Sequence, residues 1–261
     1  MAVMHIDFPS RVLSKTVAAS VIIPPSVYQD SRVPAPVLYL LHGFSDNHTA
    51  WLHNTSIVRY ASEAGLAVVM PSADNSFYTD MAFGGRYWTF LTDELPAVAE
   101  RLLPIASSPS RRFVAGHSMG GFGALKWGLN HPGQFAAVAS LSGVTDMVYH
   151  VQHNAQMADD KRRQFKLIFG DADIASTPND ILGLLDTLQH AGGQMPRLYQ
   201  TCGTEDFLYE HNRRFHQKCA KLSIPVDGDF RPGGHTWNFW DEAIQRVLHW
   251  LPIEADNSRE T

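Results

Sequence analysis

Cysteine is scarce: Cys202 and Cys219 are the only two in 261 residues. Their positions offer neither the paired spacing of a disulfide framework nor the ligand spacing of a thiolate metal site, so two free thiols in a reducing compartment are expected. Runs of lysine or arginine are also missing. With 21 basic against 26 acidic residues and a net charge of -5, the chain has no electrostatic footprint for a phosphate backbone, and nucleic acid is not an expected partner. No apolar stretch is long enough to cross a bilayer. The leading MAVMHIDFPSRVLSK places Asp7 and Pro9 where a secretory signal needs a continuous apolar segment. A cytoplasmic protein without a membrane partner is the expectation. No repeat, low-complexity tract or linker divides 1–261, which predicts a single domain ending in a polar tail over 252–261.

What is present is patterned apolar sequence. Met4, Ile6 and Phe8, then Val17, Ala19, Val21 and Ile23, alternate with other residues at the period of half-buried strands, an antiparallel edge. Beyond the prolines at 34–36 come near-continuous apolar runs: VLYLLHG, LAVVMPS, RRFVAGHS, AAVASLSG, FKLIFGD and RLYQTCG. Such runs suit parallel strands buried on both faces, and VDGDFRPGG reads as a short final strand. Helical spacing lies between them at 57–64, 91–103, 121–130, 181–190 and 212–222, with a closing helix at 237–251. The alternation predicts an α/β fold: a mostly parallel central sheet with an antiparallel N-terminal edge and helices on both faces. The largest insertion, 145–163, is polar (His150, Gln152, His153, Asn154, Gln156, Asp159, Asp160, Lys161, Arg162) and predicts a small cap or crown.

Chemistry concentrates at Gly116-His117-Ser118-Met119-Gly120, directly after a strand and before a helix. That context makes Ser118 the candidate nucleophile on a sharp turn, with helix-terminal amides favouring developing negative charge. A serine hydroxyl needs an imidazole to take its proton and a carboxylate to orient that imidazole. His190, His211, His216 and His249 fall in helical stretches, whereas His235 follows the last strand in a Pro-Gly-Gly loop and is the candidate base. For the acid, Asp206 is preferred over Glu205 in the loop after RLYQTCG, with Asp171 and Asp173 after FKLIFG as rivals. VLYLLHGF ends an early strand, and its Phe44 amide pairs with the Met119 amide as the candidate oxyanion hole. Of the aromatics Phe77, Tyr78, Phe83, Tyr87 and Trp88, Tyr78 and Trp88 are the candidate substrate walls, together with Trp237. His150 and His153 form an H-x-x-H pair with no third ligand, which reads as a surface helix rather than a metal site.

Taken together, HGFSDNHTAW, LAVVMPSADNSFYTD, TDELP, AGHSMGGFGALKWGL and GGHTWNFW resemble the esterase D branch of the α/β-hydrolases, closest to the tributyrin-type short-chain carboxylesterases. The likeness runs over 37–251. It implies an α/β-hydrolase fold and a serine carboxylesterase that cleaves small-molecule, short-chain acyl esters through an acyl-enzyme. It also implies Ser118, Asp206 and His235 as the triad, Phe44 and Met119 as oxyanion donors, and no cofactor or metal. Relatives in the branch include S-formylglutathione hydrolases, acetylxylan and feruloyl esterases and mycolyltransferases. An acyltransferase or a thioesterase on the same triad is therefore the alternative, and a non-catalytic binding protein of the same fold a rival from another class. The HGFSDN loop departs from the Gly-Leu-Thr-Cys type of glutathione thioester hydrolases. The natural substrate and any homo-oligomer stay open.

Overall fold

In a computed structural model, residues 1–29, 33–153, 159–171 and 173–253 are described. Two nine-residue strands, β1 (Ala2–Ser10) and β2 (Lys15–Ile23), form the N-terminal hairpin, in register from Ala2 opposite Ile23 to Ser10 opposite Lys15. Then β3 (Val37–Leu41), β4 (Ala67–Pro71), β5 (Arg112–His117), β6 (Ala137–Leu141), β7 (Arg197–Gly203) and β8 (Asp227–Arg231) complete one eight-stranded sheet in the order β1-β2-β4-β3-β5-β6-β7-β8. β2 pairs antiparallel with both β1 and β4, and the remaining pairs are parallel. This is the α/β-hydrolase architecture, with the antiparallel edge at the N-terminus.

The helices are α1 (Ile57–Glu63), α2 (Leu95–Leu102), α3 (Met119–Asn130), α4 (Met147–His153), α5 (Asp159–Phe169), α6 (Ile181–Ala191), α7 (Tyr209–Lys221) and α8 (Trp237–Trp250), beside several shorter turns. They cover both faces because strand side chains alternate. Tyr39, Leu41, Val69 and Val114 share one core with Leu95, Phe122, Ile181 and Phe215 of α2, α3, α6 and α7. Leu38, Leu40, Val68 and Phe113 share the other with Ile57 of α1 and Ile244 of α8. The parallel strands end together: Leu41 lies opposite Gly116, His117 opposite Leu141, Leu141 opposite Thr201 and Gly203 opposite Arg231. The loops leaving these strands therefore meet along one edge, where ligands of such sheets bind.

One expected strand is a helix. FKLIFG forms the end of α5, not a sheet member. Phe165, Ile168 and Phe169 stand at i, i+3 and i+4 and pack on the α2–α3 core, while Leu167 remains exposed. A short apolar run fits either a buried strand or one face of a helix, and only the helical spacing separates them. The insertion at 145–163 contains α4 and the start of α5, which runs on to Phe169; Asn154 and Gln156 lie outside the described residues, as does the tail from 254. Among the described residues, no helix is long and apolar enough to cross a membrane.

Candidate active site

The elbow between β5 and α3 holds Ser118 at φ 54°, ψ -117°, a positive-φ conformation that an L-residue adopts at a cost. Its surroundings enforce it. A Cβ on Gly116 would stand 2.5 Å from the carbonyl carbon of Gly120, and one on Gly120 would overlap the Leu41 carbonyl of the neighbouring strand. The Ser118 amide donates to Leu141 O at 2.9 Å, pinning the turn to β6. The hydroxyl thus projects at the N-terminus of α3, half-buried.

Ser118 Oγ lies 2.9 Å from His235 Nε2. On the far side of the ring, His235 Nδ1 lies 3.0 and 2.9 Å from the two carboxylate oxygens of Asp206. An ionised carboxylate only accepts, so Nδ1–H donates to it and Nε2 is left to accept the serine proton. Asp206 is buried and also accepts the Leu208 amide at 2.8 Å. Two backbone bonds bring the acid and histidine loops together, Thr204 N to Arg231 O at 2.9 Å and Glu205 N to Gly233 O at 3.1 Å.

The rival acids are elsewhere. Glu205 is exposed, and its carboxylate accepts the Gly233 amide, a bond that holds its pKa below the ordinary value. It braces the histidine loop and does not meet the ring. Asp171 follows a helix and forms an exposed ion pair with Lys166 at 3.1 Å, and Asp173 accepts the nearby Ala175 amide at 3.0 Å.

The loop after β3 crosses the elbow: a Cβ on Gly43 would approach His117 Nε2 to 2.5 Å. It is fastened from both sides. His42 Nδ1–H donates to Gly43 O at 2.8 Å, and Nε2 accepts the Ala73 amide at 3.0 Å. Burial lowers the His42 pKa to about 4, so the ring is neutral and keeps this single tautomer. Tyr78 Oη–H donates to His42 O at 2.9 Å. The next amide along is that of Phe44. The Met119 amide opens α3, where a first-turn N–H has no carbonyl in its own helix.

Around these atoms the aromatic side chains divide into groups that the sequence ran together. Trp237 belongs to a ring cluster under the elbow, 4.5 Å from His117 and 5.2 Å from Trp51, with Trp240 4.4 Å from His117 and 4.8 Å from His235. His117 is fully buried there, bonded to Asp46 at 3.1 Å, and burial lowers its pKa. Tyr78 is wholly buried behind the loop after β3 and offers no surface to a substrate. Trp88 lies over Lys126 and stacks on His131, at the end of α3 opposite Ser118.

Phe77, named among the aromatics but not chosen as a candidate wall, is buried at the centre of a cluster of phenylalanines. Its ring lies 5.8 Å from Phe44, 5.9 Å from Phe122, 5.3 Å from Phe165 and 6.0 Å from Phe169. The i, i+4 spacing of Phe165 and Phe169 was the signal available for the crown's share of it. Phe207 is 73% exposed although its ring is 4.4 Å from His235. The H-x-x-H pair splits: His150 is half-buried, with Nδ1 3.4 Å from His211 Nε2, and burial and that neighbour lower its pKa to about 3. His153 is exposed and stacks on Tyr149. Among the described residues, no three ligating side chains gather for a metal.

A model of the Esterase family, described as "Putative esterase", matches residues 10–251. An acetyl esterase of Caldicellulosiruptor saccharolyticus is 30% identical over 267 residues, spanning 98% of this chain and 100% of its own. Among solved structures, the fluorophosphonate-binding serine hydrolase FphF of Staphylococcus aureus superposes with a TM-score of 0.88 at 31% identity, over 97% of this chain and 99% of its own. An S-formylglutathione hydrolase, FrmB, of the same organism superposes with a TM-score of 0.85 at 31% identity, over 96% and 98%.

Proposed function

Since the chain belongs to this esterase family and is a carboxylic ester hydrolase, we propose that it cleaves short-chain acyl esters with Ser118 as nucleophile, His235 as general base and Asp206 as the carboxylate that orients the ring. The observation that carries this reading is the unbroken relay from Asp206 through His235 to Ser118, with 2.9 Å at the Nε2 to Oγ step. His235 takes the serine proton as Oγ attacks the ester carbonyl, then returns it to the departing alcohol. Water, deprotonated by the same imidazole, hydrolyses the acyl-enzyme. The Phe44 and Met119 amides receive the oxyanion in both steps. Removing one such donor typically costs ~3–4 kcal/mol in the transition state, and the bonds that fasten His42 and Gly43 keep this one in place.

The short-chain preference rests on the phenylalanine wall. Phe44, Phe77, Phe165 and Phe169 fill the space beside the oxyanion loop, where a long acyl chain would have to displace packed rings. The resemblance of its motifs to the esterase D branch, nearest the tributyrin-type members, supports this reading, and the acetyl esterase relative fits the same chain length. The two unpaired, buried thiols fit a reducing compartment, the cytoplasm. For p-nitrophenyl esters, kcat/KM should be highest from acetyl to butyryl and decline clearly by octanoyl; a steady rise through decanoyl overturns the short-chain reading. The likeness to an S-formylglutathione hydrolase favours one second reading, a thioesterase, which a kcat/KM for S-formylglutathione far above that for acetyl esters would establish.

A further inference from the structure

Lys126 lies two turns along α3 from Ser118 and is fully buried. A buried ammonium is costly unless paired, yet among the described residues Lys126 forms no ion pair. Its Nζ donates to the carbonyl oxygen of Tyr78 at 2.8 Å and sits 4.2 Å from the centre of the Trp88 ring. That carbonyl belongs to a strained turn: Phe77 and Tyr78 have φ of 50° and 51°, the left-handed region that aromatic residues occupy only when their surroundings hold them there.

Tyr78 is clamped at three points. Its ring lies against Gly123 of α3, where a Cβ would overlap it. Its carbonyl is held by Lys126, and its hydroxyl reaches the His42 carbonyl at 2.9 Å. The tyrosine therefore acts as a spacer between the helix that carries the serine and the loop that carries the Phe44 amide. The same turn presses Phe77 on Phe44.

We propose that Lys126 is a positioning residue: by holding the Tyr78 carbonyl from the nucleophile helix, it sets the distance between Ser118 and the Phe44 amide, and so the fit of the oxyanion hole. This rests on the assignment of Phe44 and Met119 as oxyanion donors. An oxyanion hole is bound more tightly by the transition state than by the ground state, so a misplaced donor slows turnover without weakening substrate binding.

The test uses Lys126→Met, which keeps length but removes the donor, and Tyr78→Phe, which cuts the link to His42 and leaves Lys126 in place. With p-nitrophenyl acetate, Lys126→Met should lose at least tenfold in kcat with KM within twofold of wild type, while near-ultraviolet circular dichroism stays native. Fluorophosphonate labelling of Ser118 should slow in parallel, because the phosphonyl oxygen enters the same hole. A kcat within twofold of wild type, or a loss confined to KM, overturns the proposal. Should Lys126→Met fail to fold, Tyr78→Phe decides: a kcat-specific loss supports the proposal and an unchanged kcat overturns it. Wild type itself separates the two claims. If it neither hydrolyses the ester nor reacts with the fluorophosphonate, the catalytic assignment fails; if it does both and the variants match it, only the role of Lys126 fails.

Discussion

Asp206, Glu205 and Asp171 make different bonds, and each therefore has its own expected phenotype. Ser118→Ala should abolish turnover and leave the melting temperature near wild type. Asp206→Asn should lower kcat by about 10⁴, since an amide at that place sets the wrong imidazole tautomer. Glu205→Gln should stay within about tenfold, because Glu205 meets the Gly233 amide rather than the ring, and Asp171→Asn should be silent. An inactive Glu205→Gln beside an active Asp206→Asn, in steady-state kinetics on one acetyl ester, would reverse the assignment. At this scale the sequence was legible where chemistry demands a local pattern, as in Gly-x-Ser-x-Gly followed by a helix. Lys126 was not legible, since a lysine in a helix ordinarily marks a solvated face. Its burial also has a thermodynamic signature. The folded protein releases the Lys126 proton near pH 7, whereas the ordinary lysine value is 10.5, and desolvation is the cause. Between these values unfolding takes up a proton, so wild type should gain stability over Lys126→Met as pH rises, by about 1.4 kcal/mol per pH unit. The difference should be flat below this window. Urea melts at pH 6, 8 and 10 check the sign.

Among elements, α5 shows what apolar pattern leaves undecided. FKLIF reads as a buried strand by composition, and the helix appears only once Phe165, Ile168 and Phe169 are seen on one face. The polar first half of the same helix concealed its role: Asp159 to Arg163 is solvated, and the wall residues follow. On the short-chain reading proposed above, α5 is the element that sets acyl length. Phe165→Ala should raise kcat/KM for hexanoyl relative to acetyl esters by roughly 15- to 60-fold, as two to three further methylenes find space at ~0.8 kcal/mol each. An unchanged ratio would place the acyl group elsewhere. The N-terminus of α6 is capped by Asp180. Its side chain accepts the Gly183 amide at 3.0 Å, and Asp180→Ala should cost about 1 kcal/mol in a denaturant titration.

Across the whole molecule, sheet order cannot be read from period alone, whereas the strands themselves could. The β-alternation in 4–23, five of the six apolar runs and the final VDGDFRPGG located the strands of the sheet, and the handedness of crossovers limited how they assemble. What the pattern could not give was which rings face the site, because the edge of the sheet gathers side chains from segments as distant as Phe44, Phe77, Phe165 and Phe207. The two cores are unequal partners in this. Leu40, completely buried in the α1–α8 core, should cost ~2–5 kcal/mol on change to alanine, with kcat of the folded fraction retained, because that core supports the sheet from the side away from the wall. Under the elbow, Trp51, Trp237 and Trp240 meet edge to face at 5.1 to 5.2 Å, and His117 and His235 touch them. Half of the six tryptophans thus share one small volume against the His235 ring, and an indole's emission responds to charge and polarity at such range. The protein carries its own optical reporter: excited at 295 nm, its fluorescence should change in step with phosphonylation of Ser118, and stopped-flow traces should resolve formation and decay of the acyl-enzyme without any added dye.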